Sequence, residues 1–124
     1  MIPRKFALSF LNVFYGYNRP GAKASNAVRE SFVAQGLQGS VKALYDCIEA
    51  FSQTDLRGDL KKMTIPTLVI HGDDDQIVPF DTCGRVAAEI LPDARLKVYP
   101  GGSHGICTTH KQQINEDLLQ FIQS

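Results

Sequence analysis

The sequence predicts an α/β chain in which helices come first and strand alternates with helix afterwards. Three observations carry this. The first sixty or so residues have helical periodicity and no convincing strand, whereas Ile65-Pro66 introduces the apolar run Thr67-Leu68-Val69-Ile70. A second strand-like segment, residues 95–99, follows after one intervening helix. Strand, crossover helix, strand and helix in that order is the βαβ grammar of a doubly wound parallel sheet.

Near the start, Phe6, Phe10, Val13 and Phe14 fall on one face of a helix. The same stretch follows Arg4 and Lys5 and precedes Ala22-Lys23-Ala24, which together sketch a signal peptide. Ser9 and Asn12 interrupt the apolar run, and the helix is the preferred reading. Tyr17-Asn18-Arg19-Pro20-Gly21 reads as a turn, because proline fixes one backbone angle and glycine permits a positive φ. Ser25 then caps a helix carrying Val28, Phe32 and Val33, with Gly36 as its expected end.

Ser40 precedes Val41, Leu44, Tyr45, Ile48 and Phe51, whose spacing predicts an amphipathic helix with one buried stripe. Thr54 is expected to cap a short helix reaching Leu60. The residue before a proline is biased to extended backbone, so Ile65-Pro66 leads into a strand over residues 67–70. Uninterrupted apolar side chains suit a strand buried on both faces, as in a parallel sheet.

From Asp81 a helix presents Val86, Ala87, Ile90 and Leu91 until Pro92-Asp93 breaks it. Arg95-Leu96-Lys97-Val98-Tyr99 alternates in polarity, which predicts a half-exposed strand near a sheet edge. A last helix is expected over Lys111–Ile122, with Ile114, Leu118, Phe121 and Ile122 inward. Two strands are marginal as a sheet, and the first would expose an unpaired edge unless other strands flank it. The expected division is a helical region over residues 1–62 and a βαβα region over residues 63–124.

Composition narrows the function classes. With 124 residues, 44% of them hydrophobic and 21% charged, the chain has an ordinary globular make-up. Thirteen basic and thirteen acidic side chains cancel, and no basic stripe offers itself to a phosphate backbone, so nucleic acid is not an expected partner. No apolar run has the length of a bilayer span, so no membrane association is expected. Cys47, Cys83 and Cys107 cannot all pair and lack metal or redox spacing, which fits a reducing, cytoplasmic setting.

Ligands of open α/β sheets bind beyond the carboxyl ends of the strands. The two loops there are His71-Gly72-Asp73-Asp74-Asp75-Gln76-Ile77-Val78-Pro79 and Pro100-Gly101-Gly102-Ser103-His104-Gly105. Gly101-Gly102-Ser103-His104-Gly105 matches the G-x-S-x-G of a nucleophile elbow literally. Ser103 adjoins the histidine that would take its proton, and adjacent side chains are poorly placed for that bond, so it is set aside as nucleophile. A metal site from His71, His104, His110 and the aspartates lacks alternating or helical ligand spacing. Cys107, three residues after His104, is read as a buried cysteine rather than a nucleophile. His71 is read as a packing or hydrogen-bonding residue, and His110 as a capping or solvent-facing one.

The pattern H-G-x-x-D-x-x-V-P after one strand and S-H-G after the next resembles the acid and histidine loops of α/β hydrolases. Phe14-Tyr15-Gly16-Tyr17-Asn18-Arg19-Pro20-Gly21-Ala22, Tyr45-Asp46-Cys47-Ile48, His104-Gly105-Ile106-Cys107-Thr108-Thr109-His110 and Asn115-Glu116-Asp117-Leu118-Leu119 are similar to cofactor-free haloperoxidases and related arylesterases. The resemblance implies the C-terminal part of an α/β-hydrolase fold: cap helices, then the last two parallel strands with their helices. It implies Asp75, with Asp73 as the alternative, and His104 as catalytic acid and histidine. It also implies acyl transfer on a small ester, a carboxylic acid or a peroxide, with no cofactor and no metal. The family's nucleophilic serine and oxyanion loop lie upstream of these loops. The chain is therefore expected to be inactive alone, or to act by self-association or with a complementing N-terminal fragment.

Overall fold

A computed structural model of the chain describes residues 2–124. Seven α-helices and two strands are assigned among the described residues, in the order α1 (Arg4–Phe14), α2 (Asn26–Gln38), α3 (Val41–Gln53), α4 (Arg57–Leu60), β1 (Thr67–Gly72), α5 (Gly84–Ile90), β2 (Ala94–Tyr99), α6 (Ile106–Thr109) and α7 (Lys111–Ile122). A short 3-10 turn, Phe80–Thr82, precedes α5. Two compact units emerge. One comprises the chain up to Val13 together with Tyr17–Asp55, and the other Phe14–Gly16 together with Leu56–Ser124.

In the first unit the expected caps form. The Ser25 hydroxyl accepts the Val28 N–H, and the Ser40 hydroxyl accepts the Ala43 N–H at 3.0 Å. Each satisfies one of the amides that a helix start leaves unpaired. Gly21 takes a positive φ of 76°, as the turn requires. The buried side chains here are Ala7, Leu11 and Val33. Phe10 stacks between Phe6 and Phe32, with ring centroids 6.4 and 6.2 Å away.

Three expectations for this unit are corrected. Gly36 does not end α2, which runs on to Gln38; Gly36 lies in ordinary helical backbone and accepts the capping N–H of Gly39 at 3.3 Å. Thr54 ends α3 rather than starting α4, because its hydroxyl donates back to the Ala50 carbonyl at 2.5 Å. The stripe of α3 is not buried: Tyr45 is 65% and Phe51 68% exposed, with Val41 and Ile48 also open. The core of this unit is built by α1 and α2, and no described residue of α3 enters it.

In the second unit β1 and β2 pair in parallel, with Thr67 opposite Ala94 and Gly72 opposite Tyr99. Both strands extend slightly beyond the expected bounds. β1 is half-buried along most of its length rather than enclosed on both faces, since among the described residues β2 is its one neighbouring strand. Tyr99, Ile106 and Ile114 form the core, with Ile70 against it.

Lys97 and Tyr99 alternate on β2 and reach one carboxylate on α7. Asp117 accepts the Tyr99 hydroxyl and pairs with Lys97 at 3.1 Å. Burial, the hydrogen bond to Asp117 and the charges of Asp117 and Cys107 push the Tyr99 phenol up to about 12. The same bonds from Tyr99 and Lys97 hold the Asp117 carboxyl below its ordinary value, although desolvation opposes them.

α7 has the expected bounds, but only Ile114 of its predicted inner face is buried. Leu118 is half-open and Ile122 is exposed. Among the described residues no helix is long and apolar enough to cross a membrane.

Candidate active site

The loops after β1 and β2 continue the sheet's hydrogen bonding beyond its last residues. Asp73 N–H donates to the Tyr99 carbonyl at 3.2 Å and Asp74 N–H to the Gly102 carbonyl at 3.1 Å. The Asp73 carboxylate accepts the Gly101 N–H at 2.6 Å. Asp73 therefore clamps one loop to the other.

Asp75 turns inward and is 7% exposed. Its Oδ1 accepts the N–H groups of Ile77 at 2.9 Å and Val78 at 2.8 Å, an aspartate-stabilised turn closed within three residues. Its Oδ2 lies 2.7 Å from Nδ1 of His104 and 3.3 Å from Nε2 of His71. Burying a carboxylate without partners is costly, and these donors compensate. Burial pushes the Asp75 carboxyl up, but the bonds from Val78, His104 and Ile77 outweigh it and hold the group below its ordinary range.

His104 is joined to that carboxylate through Nδ1, so Nδ1 carries a hydrogen and Nε2 is left for other chemistry. Nε2 has no hydrogen-bond partner among the described residues. The edge of the ring packs on Phe14, with centroids 4.7 Å apart. Gly105 N–H donates to the Phe14 carbonyl at 2.8 Å, and a β-carbon on Gly105 would lie 2.4 Å from the Tyr15 ring. Residues 14–16 thus brace the histidine loop.

The remaining candidates fall elsewhere. Ser103 is buried, and its hydroxyl has no hydrogen-bond partner, His104 included, among the described residues. Cys107 is exposed, which corrects the expectation that it is buried. Ile106 turns into the core, and the next helical residue, about 100° further round, faces out. His71 accepts the hydrogen-bonding role expected of it. His110 joins α6 to α7 without a side-chain cap; its ring meets Tyr99 edge-on at 5.8 Å and Nδ1 lies 2.9 Å from the Thr109 hydroxyl. Sequence reasoning missed Phe14 and the Asp73 clamp. The first has no local signal, whereas consecutive aspartates before a glycine-rich partner loop are a hint of the second.

Two parallel strands are thus joined by a helix, with a buried carboxylate after the first bonded to a histidine after the second. The family model described as Serine aminopeptidase, S33, matches residues 26–110. The chain belongs to this α/β-hydrolase family, and its elements correspond to the C-terminal part of the fold. It is 51% identical over 111 residues to a non-heme haloperoxidase of Rhodococcus erythropolis, a match covering 90% of this chain and 40% of that protein. Identity and coverage are the same for the bifunctional esterase/perhydrolase DCH of Acinetobacter calcoaceticus: 51%, with 90% and 40%. The bromoperoxidase crystal structure from Bacillus anthracis superimposes with a TM-score of 0.89 at 38% identity, over 98% of this chain and 44% of that one. The chain thus spans about 40% of the length of the curated relatives it matches.

Proposed function

We propose that this chain carries the acid and the histidine of a serine-type acyl-transfer site, as Asp75 and His104. The single observation behind the reading is the 2.7 Å contact of His104 Nδ1 with Asp75 Oδ2, which leaves Nε2 unoccupied. In the mechanism, Nε2 takes the proton of an attacking serine and later returns it to the leaving group. Asp75 holds the ring in that orientation and stabilises the imidazolium formed midway. Water releases an acid from the acyl-enzyme; hydrogen peroxide in its place releases a peracid. Substrates are accordingly small esters, carboxylic acids and peroxide, and the route needs neither cofactor nor metal. Residues 1–62 act as the helical cap region, and residues 63–124 as the core part bearing the two loops. The three unpaired cysteines support a cytoplasmic setting.

No residue on this chain is proposed as nucleophile. Ser103 is enclosed without a bond to His104, and among the described residues no hydroxyl or thiol bonds Nε2. The chain by itself is therefore expected to be inactive, since both the covalent route and the oxyanion stabilisation are lacking. Assay of the purified chain with p-nitrophenyl acetate tests this. Turnover that His104→Ala abolishes would overturn the proposed inactivity.

A second reading is supported by the two-stranded sheet, whose outer edges carry unpaired backbone groups. Here the chain is an interaction module that pairs through the sheet edge with a second copy or with a complementing N-terminal fragment. Light scattering separates the readings. A monomer unfolding cooperatively counts against the module, and esterase activity restored by a complementing fragment would make the chain half of a split enzyme.

A further inference from the structure

A second imidazole stands beside the Asp75 carboxylate. His71, one residue before the end of β1, places Nε2 2.9 Å from the Val78 carbonyl oxygen and 3.3 Å from Asp75 Oδ2. A carbonyl oxygen only accepts, so Nε2 carries a hydrogen. The ring is confined: its side chain is 13% exposed, the Phe80 ring lies 5.6 Å from it, and a β-carbon on Gly84 would fall 2.4 Å from Nδ1. The start of α5 therefore presses on the opposite edge of the imidazole.

We infer that His71 is a positioning residue for the Asp75 and His104 pair. The inference rests on reading that pair as acid and histidine. A carboxylate pinned at one oxygen can still swing, because its terminal torsion is broad. Ile77 and Val78 hold Oδ1, and the His71 N–H, anchored on the Val78 carbonyl, sets its positive end beside Oδ2. The peptide groups of Val78 thus serve both ends of the arrangement: its N–H fixes one oxygen, and its C=O fixes the imidazole that borders the other. With the torsion held, Oδ2 is presented to His104 Nδ1 in one orientation.

The test is nitrogen-15 NMR of the histidines in the full 124-residue chain. In the wild type a His104 hydrogen held on Nδ1 by Asp75 is expected to give a slowly exchanging downfield resonance. His71→Leu is expected to lose that resonance while the amide spectrum outside the acid loop is kept. His71→Gln is expected to restore it, because glutamine Nε2 lies as many bonds from Cα as histidine Nε2. Should His71→Leu fail to fold, His71→Asn, one bond too short to reach Val78, is expected to show the same loss.

A wild-type His104 resonance in His71→Leu, or no rescue by His71→Gln in a folded chain, would overturn the inference. Asp75→Asn separates the two levels. If it too leaves the His104 resonance unmoved, the pairing itself fails; if it removes the resonance while the His71 variants do not, only the role of His71 fails.

Discussion

A β-carbon on Gly72 would lie 2.2 Å from the carbonyl oxygen of Gly102, so the loops bearing Asp75 and His104 meet backbone against backbone. Gly72→Ala must drive them apart, since the obstructing atoms are main chain and cannot rotate away. We expect a loss of about 3 kcal/mol or more in urea unfolding, the scale of strained or overpacked sites. Gly58→Ala is the control. It meets nothing within 4 Å in α4 and should be neutral or stabilise by about 0.5 to 1 kcal/mol. Similar costs for the two would contradict the close approach.

Asp75 makes the chain sensitive to acid. Its native pKa lies below the unfolded value of about 3.9, so its contribution is present above that pH and is lost as pH falls through the depressed native value. Asp75→Ala also strands the N–H groups of Ile77 and Val78, and should cost about 2 to 4 kcal/mol near neutrality. Urea midpoints measured from pH 7 down to about pH 2 check this. The gap between wild type and variant should narrow at the acid end, leaving the part due to the stranded N–H groups; a constant gap would rule out a depressed carboxyl.

Tyr99 gives the opposite limb. Its native pKa of about 12 stands above an unfolded value near 10, so its contribution is intact below about pH 10 and fades as pH rises towards 12. A phenolate absorbance titration should show a step near 12 that Tyr99→Phe removes. Persistence of that step in the variant would assign it to another tyrosine.

The open face of α3 predicts tolerance. Tyr45→Gln, Ile48→Gln and Phe51→Gln should each change the unfolding free energy of this chain by no more than about 0.5 kcal/mol. Leu11→Ala, at a fully buried position, should cost about 2 to 5 kcal/mol. A core-sized loss for Ile48→Gln would restore the buried stripe that periodicity suggests.

Local chemistry made much of this fold legible. Ser25 and Ser40 cap through bonds to residues three further on, and Pro66 and Pro92 bound the two strand entries, all of which a short window of sequence contains. Asp75 could be preferred over Asp73 only through family resemblance; in the fold, Asp73 bonds Gly101 while Asp75 bonds His104, partners that lie 28 and 29 residues away. What periodicity did not reveal was which apolar stripe would find a partner. Val28 to Val33 and Val41 to Phe51 read alike, yet Val33 is fully buried and α3 contributes nothing buried. Burial depends on what other chain surface is at hand, and hydrophobic spacing does not encode it. The same holds for Phe14, whose contact with His104 spans the whole length of the intervening sequence.

The bonds described around the Asp75 and His104 pair are made among residues 14–16 and 71–105. The Oδ1 half of the carboxylate is held by peptides two and three positions on, and the Oδ2 half faces the imidazoles of His71 and His104. On the proposed reading such a pair is portable: exchanging the segment that brings the nucleophile would leave an acid and a histidine already aligned, with substrate preference free to diverge around them.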